Sequence, residues 1–296
     1  MSERPYTIGF ANLCEKIPFA STVRQSIEAA AARHPNLSLV VRDNNMDSDT
    51  ALANVQEFAA TPVDLAIIYH IDEHMGNIFN STLVKGRIPI LAIDIPISWT
   101  VFFGVNNRKA GFLAGVALGK WAKRNWDGQI DKILAITEHR VSAAVSARVE
   151  SGIEGLLSEV SCEKDAIFYV DGGNERAEAR RVALPVLERW DGVHRIAVLG
   201  FNDDTALGAL DAARELGREN DVAVAGQGAD LAVEEFKRPG TRLVASTAYY
   251  PERYGEQVIA LALRMLNGER VPRENLIDPG CITVEEATGV NAQGAA

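Results

Sequence analysis

Two polar side chains stand directly after apolar runs that are typical of strands. Asp94 follows the apolar residues 88–93, and Asn202 follows the apolar residues 196–201. Short apolar runs of this kind form strands that are buried on both faces of a parallel sheet. Open α/β sheets bind ligands at the carboxyl ends of their strands, so we expect Asp94 and Asn202 to contact a small ligand. Asp94 could instead be a cap or turn residue.

The residues after Asn202 predict a helix that needs an N-terminal cap. Asp203 and Asp204 come first, and apolar residues recur at helical spacing from Ala206 onward. A carboxylate at the start of a helix accepts hydrogen bonds from the free N–H groups of the first turn. We therefore expect Asp203 or Asp204 to cap this helix, which leaves the Asn202 amide for a ligand.

A third strand end carries Tyr69 and His70, after the predicted strand residues 63–68, which are apolar except for Asp64. A lone histidine is more often a satisfied polar residue than a ligand group. Tyr69 is therefore the preferred site candidate of the two, because its ring offers an apolar face and its hydroxyl both donates and accepts.

Apolar periodicity predicts strands that alternate with helices along the whole chain. This alternation predicts an α/β fold with parallel sheets and right-handed crossovers. The pattern occurs once before and once after Asn106 and Asn107, and no Gly/Ser-rich linker separates the halves, which predicts two lobes. The last helix is predicted at residues 251–266. The predicted strands are 6–11, 37–41, 63–69, 88–94, 99–105, 132–137, 166–170, 196–199, 222–226 and 243–246.

The composition restricts the possible partners and compartments. The 296 residues include 47% apolar and 24% charged residues and carry a formal charge of −10, which disfavours nucleic acid as a partner. No apolar run approaches the ~20 residues that span a bilayer. The start lacks the apolar segment of a secretory signal, so the protein is either cytoplasmic or preceded by a signal that this sequence does not contain.

Neither a catalytic nor a cofactor signature is present. Cys14, Cys162 and Cys281 form no C-x-x-C pair, which signals neither a disulfide framework nor a metal site, although one disulfide stays possible. Cys14 has no local link to His70 or His139, and the Gly-rich phosphate fingerprints are absent after the first strand. We therefore expect no enzyme activity, no cofactor and no metal.

Several segments, in their order and spacing, resemble the sugar-binding proteins of bacterial ABC transporters, the ribose-binding-protein-like type I periplasmic solute-binding proteins. The resemblance covers nearly the whole chain. The segments are Pro18-Phe19, residues 52–56, residues 90–94, residues 106–111, residues 202–210 and residues 249–255.

This resemblance implies the type I periplasmic binding protein fold, with two Rossmann-like lobes joined by a three-strand hinge and one ligand between them. The crossings are expected near Asn106, Tyr249 and Asp278. Residues 1–106 with 250–278 would form the N-terminal lobe, and residues 107–249 with 279–296 the C-terminal lobe.

The resemblance also implies which side chains contact the ligand. Asp94 would accept hydrogen bonds from two sugar hydroxyls, and Asn202 would supply an amide. Arg148 resembles the arginine of the family's cleft, although one extra residue follows it before the Gly-apolar pair, and it could equally be a solvated helix arginine. Asn12 and Phe19 stand where the family has an amide and stacking rings, but Phe19 could also be a core residue.

The chain departs from the family pattern at three positions. Ile95 replaces the arginine that often follows the aspartate at 94, which argues against ribose itself. Gln227 stands near the place of the usual Phe-Asp pair, and Tyr249 replaces a common Gln or Asn. These changes predict another ligand within the sugar and polyol class. Glu15, Glu138 or Glu150 could return an acid to the pocket.

The resemblance implies a periplasmic, monomeric, non-catalytic receptor that closes on a sugar or sugar alcohol and passes it to an ABC transporter permease. The alternative is a cytoplasmic effector-sensing domain related to lac-repressor-family regulators. Those regulators carry a helix-turn-helix ahead of the first strand, and here five residues precede Tyr6.

Overall fold

The computed structural model describes residues 4–61 and 63–289. Residues 1–3, 62 and 290–296 lie outside the described residues, and so do the parts of the predicted lobes that fall on them. Among the described helices, none combines the length and the apolar character that a membrane span requires.

Strands and helices alternate along the described chain. The strands are Tyr6–Asn12 (β1), Leu37–Asp43 (β2), Leu65–Ile68 (β3), Ile90–Ile93 (β4), Val101–Val105 (β5), Lys132–Thr137 (β6), Ile167–Asp171 (β7), Ile196–Leu199 (β8), Val222–Gly228 (β9), Leu243–Ala248 (β10), Glu274–Ile277 (β11) and Gly280–Thr283 (β12). The α-helices are Pro18–Ala31 (α1), Ser48–Ala60 (α2), Gly76–Val84 (α3), Asn107–Asn125 (α4), Ala143–Glu159 (α5), Arg176–Arg189 (α6), Asp203–Glu215 (α7), Ala232–Phe236 (α8), Tyr254–Leu266 (α9) and Val284–Thr288 (α10).

The chain divides into two compact units. Unit 1 contains the described residues up to Val105 together with Tyr250–Ile277, and unit 2 contains Asn106–Tyr249 together with the described residues from Asp278. Each unit holds one sheet of six strands, in the order β11-β5-β4-β3-β1-β2 in unit 1 and β12-β10-β9-β8-β6-β7 in unit 2. The predicted α/β class, with two lobes built on parallel sheets, is confirmed.

The central strands are short and entirely buried, as their uninterrupted apolar sequences require. Every residue of β3, β4 and β8 is buried between helices on the two faces of its sheet. In both units the first strand lies between the second and third strands of that unit. This order reverses the direction of winding at the first strand, and open α/β sheets bind ligands at the carboxyl ends of the strands beside such a reversal.

The last strand of each sheet departs from the predicted pattern. β11 pairs with β5 in parallel, whereas β12 runs antiparallel to β10. Neither strand was predicted, because both are short and only partly buried, so neither has an apolar run. The predicted last helix was also wrong in two respects: residues 251–253 form a 3-10 turn ahead of α9, and α10 follows β12.

The cap of α7 differs from the prediction. The Asn202 side chain, not Asp203 or Asp204, accepts the hydrogen bond from the Thr205 backbone N–H (2.8 Å), and the Thr205 hydroxyl accepts one from the Asn202 N–H (3.1 Å). Asp203 is buried and bonded elsewhere, because it points away from the first turn toward β10. Asn and Asp cap helices about equally well. The tertiary contacts of Asn202, Asp203 and Asp204 therefore decide which side chain caps α7.

Candidate functional site

In unit 1, two predicted site residues end neighbouring strands at the carboxyl edge of the sheet. Asn12 ends β1, and Tyr69 follows β3, whose Ile68 pairs with Ala11. Asn12 is fully buried and donates from Nδ2 to Glu15 Oε1 (2.7 Å), while its Oδ1 has no hydrogen-bond partner among the described residues. Because an unpaired buried carbonyl is costly, this oxygen is a strong candidate for a ligand hydroxyl.

Two hydrogen bonds of its main chain fix the position of Tyr69. Its N–H donates to the Ala11 carbonyl (2.9 Å), and its carbonyl accepts from Asn44 Nδ2 (3.0 Å). The neighbouring His70 is buried, lies 3.3 Å from Ser48 Oγ through Nε2 and packs edge-on against Phe79. His70 therefore has structural contacts with Ser48 and Phe79, and the preference for Tyr69 as a site residue stays a prediction.

Asp94 follows β4 directly and is 7% exposed. Its backbone adopts the left-handed conformation (φ 56°), which non-glycine residues rarely use and which Asp tolerates better than most. Its N–H donates to the Phe103 carbonyl (2.9 Å), and its Oδ1 accepts from the Tyr254 hydroxyl (3.0 Å). The turn thus places the carboxylate at the strand end and fixes it there.

Tyr254 connects Asp94 with Phe19. The Tyr254 ring is fully buried and meets Phe19 edge-to-face (centroids 5.8 Å apart) and Phe103 edge-to-face (5.1 Å). The sequence analysis placed no function on Tyr254. Its only signal was a tyrosine in the first turn of an amphipathic helix, where a buried hydroxyl needs a partner.

In unit 2, Gln227 and Tyr249 end adjacent strands and bond to each other. Gln227 Oε1 accepts from the Tyr249 hydroxyl (2.7 Å) and from the Thr247 hydroxyl. Both Gln227 and Tyr249 are buried, at 3% and 4% exposure. Gln227 and Tyr249, which both depart from the family pattern, thus form one hydrogen-bonded pair.

Arg148 is buried in the second turn of α5, so the alternative of a solvated helix arginine is wrong. Its Nε and Nη2 donate to Asn107 Oδ1 (2.9 and 2.6 Å), and its Nη1 donates to the Phe201 carbonyl (3.3 Å). The guanidinium carbon lies 4.5 Å from the Phe201 ring centroid and 5.3 Å from that of Tyr249, within cation–π range. Arg148 therefore belongs to the same cluster as Gln227 and Tyr249.

Asn107 is a second residue that the sequence analysis missed. Asn106 caps α4 through the Lys109 N–H (3.0 Å), which leaves the next amide side chain to reach Arg148. The helices α4 and α5 approach closely here: a Cβ at Gly111 would lie 1.9 Å from the Arg148 carbonyl oxygen. Only glycine allows this approach, and the approach places Asn107 against the guanidinium.

Asn202 keeps part of its hydrogen-bonding capacity. Its Nδ2 donates to Asn174 Oδ1 (2.8 Å), while Oδ1 is the helix cap. An amide has two N–H donors and two lone pairs, so one donor and one acceptor remain for a ligand. The structure thus joins Gln227, Tyr249 and Arg148 in one cluster and places Asn202 in a separate hydrogen-bonded group.

The three candidate acids have different surroundings. Glu15 accepts from Asn12 and from Arg24 Nε (2.8 Å), Glu138 is buried and bonded to Arg140 at both oxygens, and Glu150 is exposed and accepts from Tyr169. Of the three, Glu15 is the acid that bonds to a predicted site residue, Asn12, in the part of the chain that the structure describes.

Within residues 4–61 and 63–289, one group of side chains has the spacing of metal ligands: Glu138, His139 and Asp171. His139 Nδ1 lies against Asp171 and 3.8 Å from Glu138 Oε1. Arg140 Nε and Nη2 donate to Glu138 at 2.8 and 2.6 Å, so a guanidinium already compensates the buried acid. This pairing disfavours a second cation there.

Known proteins resemble the chain over nearly its whole length. The family model described as "Periplasmic binding protein domain" matches residues 8–270. The ribose import binding protein RbsB of Salmonella typhimurium is 27% identical over 246 residues, which cover 81% of this chain and 78% of that protein.

Solved structures show the same fold. An ABC transporter solute-binding protein from Bacillus halodurans with bound myo-inositol superposes with a TM-score of 0.82, 22% identity and coverage of 98% of this chain and 99% of that one. The myo-inositol-binding protein of Caulobacter, also with myo-inositol bound, gives a TM-score of 0.79, 20% identity and coverage of 97% and 98%.

Proposed function

The chain belongs to the periplasmic binding protein domain family, and on that basis we propose that it is the solute-binding receptor of an ABC importer for a sugar or sugar alcohol. One observation carries this function: Asn12, Tyr69 and Asp94 in unit 1 and Gln227 and Tyr249 in unit 2 lie buried at the carboxyl ends of strands.

The residues of unit 1 supply mainly hydrogen-bond acceptors for a polyhydroxylated ligand. Each sugar hydroxyl donates one hydrogen bond and accepts others, so a site for adjacent hydroxyls needs both kinds of partner. The Asp94 carboxylate and Asn12 Oδ1 would accept from hydroxyls, and Phe19 would cover the C–H face of the ring.

Unit 2 supplies mainly donors. Arg148 uses three of its N–H groups within the protein, which leaves two for ligand oxygens. Asn202 offers its second amide hydrogen, and the Tyr249 ring offers an apolar face. Hydrogen bonds to charged groups contribute about 1.5–3 kcal/mol each, so a few of them can reach the ~8 kcal/mol of a micromolar complex.

The names of the relatives support the ligand class. One relative is an import protein for ribose, and two structural neighbours hold myo-inositol. Ile95 and Gln227 differ from the family pattern, which favours a sugar or cyclic polyol other than ribose. The transporter relatives favour this receptor over the effector-sensing domain of a regulator.

The cellular role follows from the same proposal. The receptor would act in the periplasm as a monomer, deliver its ligand to a membrane permease and perform no chemistry on it.

A ligand screen tests the proposal. Thermal-shift measurements with pentoses, hexoses and cyclic polyols should identify a compound that raises the melting temperature, because binding to the folded state stabilises it. Calorimetry with that compound should show binding that Asp94→Ala abolishes. Glu256→Gln, which changes an exposed acid on α9 of the same unit, is the matched control and should bind like the wild type. Absence of any response at millimolar concentration would contradict the proposed ligand class.

A further inference from the structure

Unit 2 contains two acids whose side chains are in contact. Asp203, the first residue of α7, is 1% exposed, and its carboxyl group bonds to that of Asp230 in the loop between β9 and α8. Asp203 Oδ1 also accepts from Ser246 Oγ (2.6 Å), and Oδ2 accepts from the Ala232 N–H (3.0 Å). Both oxygens of Asp203 are therefore already acceptors.

Asp230 lacks a donor for one oxygen. Its Oδ2 is buried and receives no hydrogen bond from the described part of the chain. Two ionised carboxylates offer acceptors only, so they can bond to each other only when one holds a proton. One proton on the pair therefore accounts for the contact between the two carboxyl groups.

The electrostatics also favour one proton on the pair. Burial, followed by the charge of Asp230, raises the pKa of Asp203 to about 8, and burial raises the pKa of Asp230. Burial and Asp230 also raise the pKa of Asp204 to about 6; Arg176 opposes this shift and Glu175 adds to it. Arg176 is the cation that faces this group, and it is already paired with Asp211 (2.6 Å).

Hydrogen bonds through Ser246 connect the acid pair to the turn that follows Gln227. Ser246 Oγ, which donates to Asp203, also accepts from the Ala229 N–H (3.1 Å). Gly228 and Ala229 both have positive φ (119° and 60°), a conformation that is unfavourable for a non-glycine residue and persists where contacts impose it. A Cβ at Gly226 would lie 2.3 Å from Asp203 Oδ1, so β9 passes directly against the carboxyl group.

We propose that Asp203 and Asp230 share one proton at neutral pH and that this protonated pair holds the turn at residues 228–232, and with it the position of Gln227. Asp203 and Asp230 are thus positioning residues. Unfolded aspartate releases its proton above about pH 4. The contribution of the pair to stability is therefore complete below that pH and is lost as the pH rises through about 8.

Hydrogen exchange followed by mass spectrometry tests the proposal without a ligand. Peptides that cover residues 228–236 should lose protection between pH 6 and pH 9, after correction for the intrinsic pH dependence of exchange. Peptides that cover β6 of the same unit should keep theirs. Equal protection of residues 228–236 at both pH values would overturn the proposal.

Variants of Asp230 distinguish the effect of the shared proton on protection from the effect of side-chain packing. In Asp230→Asn the amide donates to Asp203 as the protonated acid does but cannot ionise, so protection should match the wild type at pH 6 and persist at pH 9. Asp230→Ala should lose protection at both pH values. Asp191→Asn, an exposed acid of the same unit, should retain the pH dependence of the wild type. Retention of that dependence by Asp230→Asn would also overturn the proposal.

Carboxyl-carbon NMR of the wild type decides the matter if the Asp230 variants fail to fold. One aspartate resonance should titrate with a midpoint above pH 7, and Asp204→Asn should remove only the separate step near pH 6. Absence of any midpoint above pH 7 would exclude a shared proton. Restored protection at pH 9 on addition of Mg²⁺ or Ca²⁺ would show that the pair binds a cation instead.

Discussion

The two units share a strand order but prepare their carboxyl edges differently. In unit 1, Asn12 Oδ1 is buried and has no hydrogen-bond partner among the described residues, and Asp94 accepts from the Tyr254 hydroxyl. In unit 2, hydrogen bonds and a cation–π contact connect Gln227, Tyr249 and Arg148 with one another and with their neighbours. The same topology therefore supports one carboxyl edge with a buried acceptor that a ligand can use and one carboxyl edge whose side chains already hold one another in place.

This difference suggests how binding energy is divided. An unpaired buried acceptor costs free energy that a ligand hydroxyl recovers, so unit 1 should contribute strongly per contact. A pre-organised edge loses less side-chain entropy on binding, so unit 2 should contribute through orientation. Substitutions in each unit can test this division, with the sugar or polyol from the screen as ligand.

After the loss of binding expected for Asp94→Ala in unit 1, the next largest effect is expected from Arg148→Lys in unit 2. Lysine keeps the charge but cannot donate in a fork to Asn107 while it lies over Phe201, so the pre-organised edge should be lost. We expect a ~10- to 100-fold increase in Kd by calorimetry, the equivalent of one charged hydrogen bond. Arg180→Lys, at an exposed arginine of α6, is the control. An unchanged Kd would show that the ligand does not use this edge.

Tyr254→Phe in unit 1 should have a smaller effect. The change removes the hydroxyl bond to Asp94 and keeps the ring contacts with Phe19 and Phe103. We expect Kd to rise ~5-fold, near 1 kcal/mol, with little change in melting temperature. A large fall in melting temperature with an unchanged Kd would make Tyr254 a core residue alone.

The smallest effect on binding is expected at Asn202. Asn202→Ala removes the cap of α7 and should cost ~1 kcal/mol, or a melting temperature lower by about 3 °C. Asn202→Asp keeps a good cap and removes the amide donor. If Asn202→Asp matches the wild type in stability but weakens binding, the predicted ligand contact is supported. If it is as unstable as Asn202→Ala, the bond to Asn174 stabilises the unit more than the cap does.

The sequence predicted those parts of the fold that local patterns encode. Asp94 and Asn202 were selected as site candidates because each follows an apolar strand, a signal contained within a few residues. The partners of these residues are distant in sequence: Tyr254 lies 160 positions from Asp94, and Arg148 lies 41 from Asn107. No local periodicity encodes such pairs.

The cap of α7 and the edge strands show two other limits of local reasoning. Asn202 and Asp203 have similar capping ability, and the burial of Asp203 against Ser246, a tertiary contact, decided between them. β11 and β12 are partly exposed edge strands, which form because a neighbouring strand offers free backbone groups rather than because their residues are apolar.

These edge strands have a consequence for synthesis. β11 and β12 follow all the other strands in the chain and complete the sheets of unit 1 and unit 2. A nascent chain that has emerged only as far as α9 therefore holds both sheets one strand short, with β5 and β10 as unpaired edges. Unit 1 cannot finish folding before the strands of unit 2 up to β10 have been translated. A fragment that stops at Val105 would lack both α9 and β11, so an isolated unit 1 must be made by joining two separate stretches of the sequence.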